Sequence, residues 1–230
     1  MIEVVGLDAD DTLWHSERHY IGTREQFRAL LARYEPEGVL DEQLYAVELR
    51  NLEHFGYGVK GFVLSMIETA IELTDGRLEA RDVRQIIDWG RDILSAPIEL
   101  IAGVAETVQA LAARYRLLLV TKGDLLHQET KLARSGLGTL FSGIEIVSEK
   151  DPDTYRRIME RYGVAPDRFV MVGNSLRSDV VPVIKAGGHA VHVPYEVCWA
   201  HERVEPEALR DVHFHEIARL ADLPALITTL

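Results

Sequence analysis

The chain has 230 residues, of which 47% are apolar and 27% are charged, so it can bury one sizeable core or two modest ones. Its net charge of −12 and the lack of a dense Lys/Arg run argue against nucleic acid as a partner and favour a small molecule. No apolar run approaches the roughly 20 residues that span a bilayer, which predicts no membrane partner. The single cysteine, Cys198, and the absence of a basic leader predict a cytoplasmic protein without an internal disulfide.

Apolar runs predict the strands of a parallel sheet. The first, Ile2–Leu7, is nearly continuous and rich in β-branched residues, a pattern typical of a strand that is buried on both faces. Four later runs follow, the last of them weaker: Leu117–Val120, Ile144–Val147, Phe169–Val172 and Ala190–Val193. Segments with helical spacing lie between them, including Val104–Arg114 and Asp153–Tyr162. The alternation predicts an α/β fold with a doubly wound, Rossmann-like parallel sheet.

The stretch from Trp14 to Ala96 breaks this alternation, because it has four helical patterns and no convincing strand. In one of them, apolar residues recur at i, i+3, i+4 and i+7: Phe27, Leu30, Leu31 and Tyr34. Breakers separate the four patterns, near Pro36, at Gly56–Gly61 and at Gly76. We expect residues 15–96 to form an inserted all-α domain, and residues 1–14 and 97–230 to form the α/β core. The alternative is one irregular α/β domain.

Asp8, Asp10 and Asp11 follow the first predicted strand directly, in the sequence GLDADDTLW. In an extended chain, residues i and i+2 point the same way about 6.5–7 Å apart, so Asp8 and Asp10 can face one site. Open parallel sheets bind ligands at the carboxyl ends of their strands. Two carboxylates there repel one another unless a divalent cation offsets their charge. The alternative is an acidic cluster that merely caps a turn or a helix.

Groups suited to phosphate follow the second and third predicted strands. The hydroxyl of Thr121, with the backbone amides of Lys122 and Gly123, can form a phosphate cradle. Lys150 follows the third strand in SEKDPDTY, where its ammonium can neutralise a phosphoryl oxygen and an attacking carboxylate together. Taken singly, a threonine after a strand is more often a turn residue, and a lysine before a helix is usually just solvated.

The loop Gly173–Asp179, with the sequence GNSLRSD, follows the fourth predicted strand. Its Asn174 and Asp179 offer the oxygen ligands that a hard cation prefers. By itself the loop also fits a glycine-led turn with an Asn or Ser cap. Because parallel strands end at one edge of the sheet, the predicted fold brings this loop, Lys150 and Thr121 to the acidic pair.

We call these segments the first to fourth motifs: Asp8–Leu13, Thr121, Lys150 and Gly173–Asp179. With the four motifs in this order, the chain resembles the haloacid dehalogenase-like (HAD) hydrolase superfamily, in its phosphatase branch with a helical cap between the first and second motifs. The resemblance covers residues 1–14 and about 97–230. It implies that Asp8 is the nucleophile that becomes an aspartyl phosphate, and that Asp10 is the general acid and then the general base. It also implies that Thr121 and Lys150 hold the phosphate.

The resemblance further implies Mg²⁺ as cofactor, held by the Asp8 side chain, the Asp10 backbone carbonyl and the fourth motif, through Asn174 or Asp179. Two positions depart from the family pattern. Asp11 stands where Gly is common, and it either adds negative charge or adopts an unusual backbone angle. Asn174 stands where Asp is more common, and because an amide oxygen carries no charge we expect weaker metal binding.

The prediction is therefore a phosphatase that acts on a small phosphorylated metabolite, with the oligomeric state open. A phosphoryl-transfer mutase would use the same residues. A haloacid dehalogenase works without metal and lacks the second aspartate, which is present here as Asp10. A phosphonate hydrolase needs a cap lysine, for which Lys60 in the predicted loop Gly56–Gly61 is the candidate. A non-catalytic binding protein on the same scaffold is the last alternative, motivated by Asn174.

Residues near the first motif and on the cap are further candidates. Trp14, His15 and Glu17 follow the first motif directly and can line the site. Tyr57 and Lys60 are candidates to contact the leaving group. The histidines after the fourth motif lack the partners of a zinc site, so we expect surface or strand positions for them.

Overall fold

A computed structural model describes residues 1–34, 38–197, 199–210 and 212–230, so Cys198 and the predicted breaker Pro36 lie outside the described residues. The chain forms two compact units, which we call the sheet unit and the helical unit. The sheet unit contains Met1–Glu17, Ile98–Lys122 and Gln128–Leu230, and the helical unit contains Arg18–Pro97 and Gly123–His127. The predicted domain limits at residues 15 and 96 stay a prediction.

Four α-helices account for most of the helical unit: α1 Glu17–Leu31, α2 Leu40–Phe55, α3 Val59–Leu73 and α4 Ala80–Ser95. Apolar residues at helical spacing meet in one core, where Phe27 and Met66 are fully buried. The prediction that Lys60 lies in a loop is wrong. Gly58, with a φ of 117°, ends the loop before Gly61, so Lys60 lies in the first turn of α3.

The described residues of the sheet unit form six parallel strands: β1 Val4–Leu7, β2 Arg116–Lys122, β3 Gly143–Val147, β4 Phe169–Gly173, β5 His189–His192 and β6 His215–Glu216. Their spatial order is β3-β2-β1-β4-β5-β6. The chain proceeds outward on both sides of β1, which confirms the predicted doubly wound, Rossmann-like α/β fold. The edge strand β6 was not predicted, because two residues do not make an apolar run.

The central strands are buried on both faces, as their continuous apolar runs predicted. Val5 and Leu7 belong to one core, whereas Val4 belongs to another with Met171. Five α-helices lie wholly or mostly in this unit: α5 Val104–Ala112, α6 Leu125–Ser135, α7 Pro152–Arg161, α8 Val181–Lys185 and α9 Leu223–Ile227. Apolar residues of α5, α6 and α9 join the first core, and those of α7 and α8 join the second. Within the described parts of the chain, every helix is too short or too polar to cross a membrane.

Gly6 lies inside β1, where the neighbouring strand leaves no room for a side chain. A Cβ at Gly6 would lie 2.8 Å from Phe169 Cζ and 2.9 Å from Met171 Sδ. We expect Gly6→Ala to lower the free energy of unfolding by about 1–3 kcal/mol, because overpacking displaces core side chains. Gly22→Ala is the matched control in α1, since no non-neighbouring atom lies within 4 Å of its Cβ. Chemical denaturation measures both variants, and equal stabilities would contradict this account of β1.

Candidate active site

The predicted site residues of the sheet unit meet at the carboxyl edge of the sheet, beside β1 and β4. Asp8 follows β1 directly, and its backbone N–H donates to Val172 O of β4 at 2.9 Å. Lys150 follows β3, and the loop from Gly173 to Asp179 begins at the end of β4. The strand order reverses at β1, and the crevice outside such a reversal is the usual ligand site of doubly wound sheets.

A buried lysine joins two carboxylates at the centre of the site. Lys150 Nζ donates to Asp8 Oδ1 and to Asp179 Oδ1, each at 2.6 Å. Burial raises the pKa of Asp8 to about 7, and the charges of Asp179 and Asp10 act in the same direction, while Lys150 opposes them. Burial alone would lower the pKa of Lys150, but the charges of Asp179 and Asp8 raise it above its ordinary value. The ammonium group therefore keeps its proton between two acids.

The position of Lys150 is fixed by the start of the next helix. Asp151 is the N-cap of α7, and its side chain accepts the Thr154 N–H at 2.7 Å. Pro152 at the first helical position favours the same start. The backbone of Lys150 is thus held between the end of β3 and a capped helix.

The position of Asp179 depends on a tight turn after β4. Asp179 lies in a π-helical turn, Leu176–Val180, and its Oδ2 accepts the Ser175 N–H at 2.9 Å. A Cβ on Gly173 would collide with the Asp179 carboxylate. The glycine at the start of this motif is therefore needed for close approach of the carboxylate to the backbone.

Three donors hold the side chain of Asp10. Lys131 Nζ lies 2.5 Å from Oδ1 and 2.7 Å from Oδ2, Gln128 Nε2 donates to Oδ2 at 2.9 Å, and Trp14 Nε1 donates to Oδ1 at 2.7 Å. Burial would raise the pKa of Asp10, but the charge of Lys131 and the three hydrogen-bond donors outweigh it and lower the pKa. Asp10 is therefore ionised in this structure, whereas a general acid has to carry a proton.

Asp11 adopts a φ of 60°, which is uncommon for a residue other than glycine. Of the two interpretations of Asp11, the unusual backbone angle is therefore observed. Its carboxylate also accepts the N–H groups of Ser16 at 2.8 Å and Glu17 at 3.0 Å, at the start of α1. Burial raises the pKa of Asp11 to about 7, although the hydrogen bond from Ser16 opposes the rise.

The predicted phosphate cradle begins inside a strand rather than after one, because β2 continues to Lys122. Thr121 is buried, and its Oγ1 accepts a hydrogen bond from Gln128 Nε2 at 3.2 Å and donates to Lys122 O at 3.2 Å. Gly123 follows with a φ of 127° and is grouped with the helical unit. That Thr121, Lys122, Gly123 and Lys150 bind phosphate stays a prediction.

The Lys122 side chain is anchored by residues that the sequence did not single out. Its Nζ donates to Glu202 Oε1 at 2.7 Å and to Ser178 Oγ at 2.9 Å. Burial would raise the pKa of Glu202, but the charge of Lys122 and hydrogen bonds from Lys122, Ser175 and Ser178 lower it to about 2. Glu202 thus ties the segment before the last strand to the turn that carries Asp179.

The side-chain amide of Asn174, in the fourth motif, can take two orientations. Its side-chain oxygen faces only acceptor atoms. With the amide reversed, its NH₂ group would donate to Asp8 Oδ2 at 3.2 Å and to both Asp10 O and Thr12 Oγ1 at 3.3 Å. A cluster of oxygens is stable either when such an NH₂ group donates to them or when a cation lies among them.

The donor set fits a divalent cation. Octahedral Mg²⁺ with bonds of about 2.1 Å places adjacent ligand oxygens about 3 Å apart, close to the 3.2 Å and 3.3 Å that separate the Asn174 side-chain atom from Asp8 Oδ2 and Asp10 O. Of these ligands, Asp8 alone carries charge. Asp179 binds Lys150 instead, so its role as a metal ligand stays a prediction. Among the residues that the structure describes, no three His, Cys, Asp or Glu side chains are grouped to hold a metal ion.

Lys131, Gln128 and Glu202 are candidate site residues that sequence reasoning missed. One signal was available for the first two. Gln128 lies three residues before Lys131 and four residues before the buried Leu132, so these residues are on one side of α6. Gln128 and Lys131 are themselves buried. Polar residues at core-facing positions of a helix indicate a buried polar partner. For Glu202 the sequence offered no such signal.

The remaining candidates near the first motif and on α3 each form a hydrogen bond or an ion pair within their own unit. His15 Nδ1 lies 2.6 Å from the Tyr195 hydroxyl, whereas Glu17 contributes its backbone N–H to Asp11. Lys60 Nζ forms an ion pair with Asp124 Oδ2 at 2.7 Å within the helical unit. Contact of Lys60 or Tyr57 with a leaving group stays a prediction.

The doubly wound sheet thus carries an acidic pair after β1 and a lysine after β3. The family model described as haloacid dehalogenase-like hydrolase matches residues 2–187. The chain therefore belongs to the haloacid dehalogenase-like hydrolase family and is an enzyme of that class. Hydrolases of this family generally use a divalent metal.

The chain is similar to two named enzymes and to one solved structure of the same family. The chain is 26% identical over 171 residues to pyrimidine 5'-nucleotidase YjjG of Escherichia coli (strain K12), covering 66% of this chain and 72% of that one. It is 30% identical over 115 residues to glyceraldehyde 3-phosphate phosphatase of Methanothermobacter thermautotrophicus, covering 47% and 51%. A crystal structure of a haloacid dehalogenase-like family hydrolase from Xanthomonas campestris is 47% identical, with a TM-score of 0.88, and covers 99% of this chain and 91% of that one.

Asn174→Asp should strengthen Mg²⁺ binding by about tenfold or more, because it adds a second charged ligand to the three-oxygen cluster. Isothermal titration with Mg²⁺ measures the affinity directly and does not depend on turnover. Asp8→Asn is the opposite control, since it removes the one charged ligand and should weaken binding. An Asn174→Asp variant that binds Mg²⁺ no more tightly than the native chain would contradict the cation site.

Proposed function

We propose that this enzyme is a phosphatase that hydrolyses a small phosphate monoester through an aspartyl phosphate on Asp8. The observation that carries the proposal is the Lys150 ammonium group, buried between Asp8 and Asp179 at the end of β1. A carboxylate and an anionic phosphate repel each other, and a desolvated ammonium group beside the carboxylate offsets that repulsion. The names of two relatives, a nucleotidase and a phosphatase, support the phosphate-ester class.

In the first half of the proposed reaction, an Asp8 carboxylate oxygen attacks phosphorus while the bond to the ester oxygen breaks. Lys150 and the Thr121 hydroxyl hold the phosphoryl oxygens. The departing oxygen takes a proton from Asp10. Because Asp10 is ionised in this structure, it has to gain a proton when substrate binds, and the negative charge of the phosphate favours that protonation.

In the second half, water attacks the phosphorus of the aspartyl phosphate and gives its proton to Asp10, and the bond to Asp8 breaks. Inorganic phosphate leaves, and the Asp8 carboxylate is restored. Asp10 thus acts as acid and then as base. Mg²⁺ held by Asp8, Asp10 O and Asn174 supplies positive charge that stabilises the phosphoryl oxygens when it is bound.

We also propose a substrate class, a cellular location and a domain organisation for the enzyme. A small phosphorylated metabolite is the proposed substrate, and the net charge of −12 disfavours a nucleic acid in that role. We place the enzyme in the cytoplasm, and we propose residues 15–96 as a helical cap domain and residues 1–14 and 97–230 as the α/β core domain.

The test is phosphate release from an aryl phosphate, measured with Mg²⁺, with a chelator, and with Asp8→Asn in the presence of Mg²⁺. We expect Asp8→Asn to lower kcat by about a thousandfold or more, because the variant removes the proposed phosphoryl acceptor. We expect chelation to lower release by about tenfold or more. Asp167→Asn is the matched control, since Asp167 is exposed and precedes β4 at the opposite end of that strand.

Release that is equal in all three conditions, or absent in all of them, would overturn the mechanism. A mutase would move the phosphoryl group to an acceptor hydroxyl without releasing inorganic phosphate, so the same assay separates the two activities. A panel of nucleoside 5'-monophosphates and triose phosphates then tests which substrate class the enzyme prefers.

A further inference from the structure

We propose that Lys131, together with Gln128, is a positioning residue that orients the Asp10 carboxyl group for proton transfer. The inference rests on the proposed function, because it concerns how Asp10 takes part in the reaction. Gln128 and Lys131 lie three residues apart on α6, so one face of the helix presents both side chains.

Both side chains are buried, and both are directed at the same carboxyl group. Lys131 is 6% exposed and Gln128 is 3% exposed. Lys131 Nζ contacts both oxygens of Asp10, at 2.5 Å and 2.7 Å. Rotation of the carboxyl group about its last bond would break at least one of these contacts. Lys131 therefore fixes the orientation of the Asp10 carboxyl group in addition to balancing its negative charge.

Gln128 connects Asp10 to the end of β2. The two hydrogens of its Nε2 are shared among three acceptors: Asp10 Oδ2 at 2.9 Å, Thr121 Oγ1 at 3.2 Å and Lys122 O at 2.6 Å. The amide thus holds the proposed acid/base beside the proposed phosphate cradle. A change in the position of one group displaces the other.

The folding of α6 does not require this arrangement. Leu132, four residues after Gln128, packs in the apolar core, and an apolar residue at 131 would avoid the cost of burying an ammonium group. Replacing a buried ion pair by packed apolar side chains is often neutral or stabilising. The ion pair between Lys131 and Asp10 is therefore better explained by the geometry that it imposes than by stability.

Orientation of this kind affects some substrates more than others. An alkyl leaving oxygen has to be protonated as it departs, whereas 4-nitrophenolate is stable as an anion. Misplacing a catalytic group by about 1 Å can lower a rate about a hundredfold. The loss of Lys131 should therefore reduce turnover of an alkyl phosphate far more than turnover of 4-nitrophenyl phosphate.

The experiment measures kcat and KM of Lys131→Met and Lys131→Arg with glycerol phosphate and with 4-nitrophenyl phosphate, at one fixed Mg²⁺ concentration. For Lys131→Met we expect kcat to fall about a hundredfold with the alkyl ester and less than about tenfold with the aryl ester, with KM nearly unchanged. Lys131→Arg should recover most of the loss. Lys185→Met, an exposed lysine at the end of α8, is the matched control.

A double-mutant cycle separates positioning from a structural role. If Lys131 acts through Asp10, kcat of Asp10→Asn/Lys131→Met with the aryl ester should lie within about fivefold of Asp10→Asn alone, and a larger drop overturns the proposal. This comparison stands even if Lys131→Met alone fails to fold by circular dichroism, because the double variant leaves no charge unpaired. An equal loss with both esters in the single variant would also overturn it.

Failure of this inference is distinguishable from failure of the proposed function. If the native enzyme releases no phosphate, or if Asp8→Asn is as active as the native enzyme, the proposed function is wrong. If those controls behave as expected and Lys131→Met is as active as Lys185→Met on both esters, the role of Lys131 alone is wrong.

Discussion

The contact of the Lys150 ammonium with Asp8 and Asp179 is the interaction on which the candidate site depends. Its three members follow three different strands, β1, β3 and β4, so it forms only when those strands are parallel and in register. The pairing of Leu7 with Val172 sets Asp8 beside the start of the fourth motif. Removing one member of a buried charge cluster leaves the others uncompensated at a cost of about 3–5 kcal/mol. The charges and the topology of the sheet therefore constrain each other.

Asp8 and Asp10 are two residues apart, yet their surroundings shift their pKa values in opposite directions. Asp8 is buried against two other acids with one lysine to offset them, and its pKa rises to about 7. Asp10 is also buried, but the charge of Lys131 and several donors lower its pKa. Carboxyl groups with opposite shifts commonly divide the work of an active site. In the proposed reaction, substrate binding alters the environment of Asp8, since a phosphate group brings negative charge to Lys150, which now binds this acid.

Much of this site follows from one property of parallel sheets, and that part could be predicted from the sequence. Strands that are buried on both faces have continuous apolar sequences, so their ends can be predicted. Because the carboxyl ends of parallel strands lie at one edge of the sheet, the sequence predicts Asp8 and Lys150 as site residues. The contacts of Lys131 could not be predicted in this way, because a lysine on a helix is usually solvated and its environment depends on tertiary packing. The prediction of a loop at Lys60 is wrong because Gly61, which is usually a helix breaker, lies within α3.

Charge balance connects Lys131 with the unusual Asn174. Asp8, Asp10 and Asp179 face the ammonium groups of Lys131 and Lys150, so the cluster carries one net negative charge when all three acids are ionised. An aspartate at position 174 would increase the repulsion within it, whereas the asparagine amide can place either its oxygen or its NH₂ group toward Asp8 and the Asp10 carbonyl. The cluster is therefore hydrogen-bonded without a cation in one amide orientation and offers three oxygen ligands in the other. A carboxylate at position 174 would lack the first option, so we expect Asn174 to stabilise the metal-free site and to weaken Mg²⁺ binding.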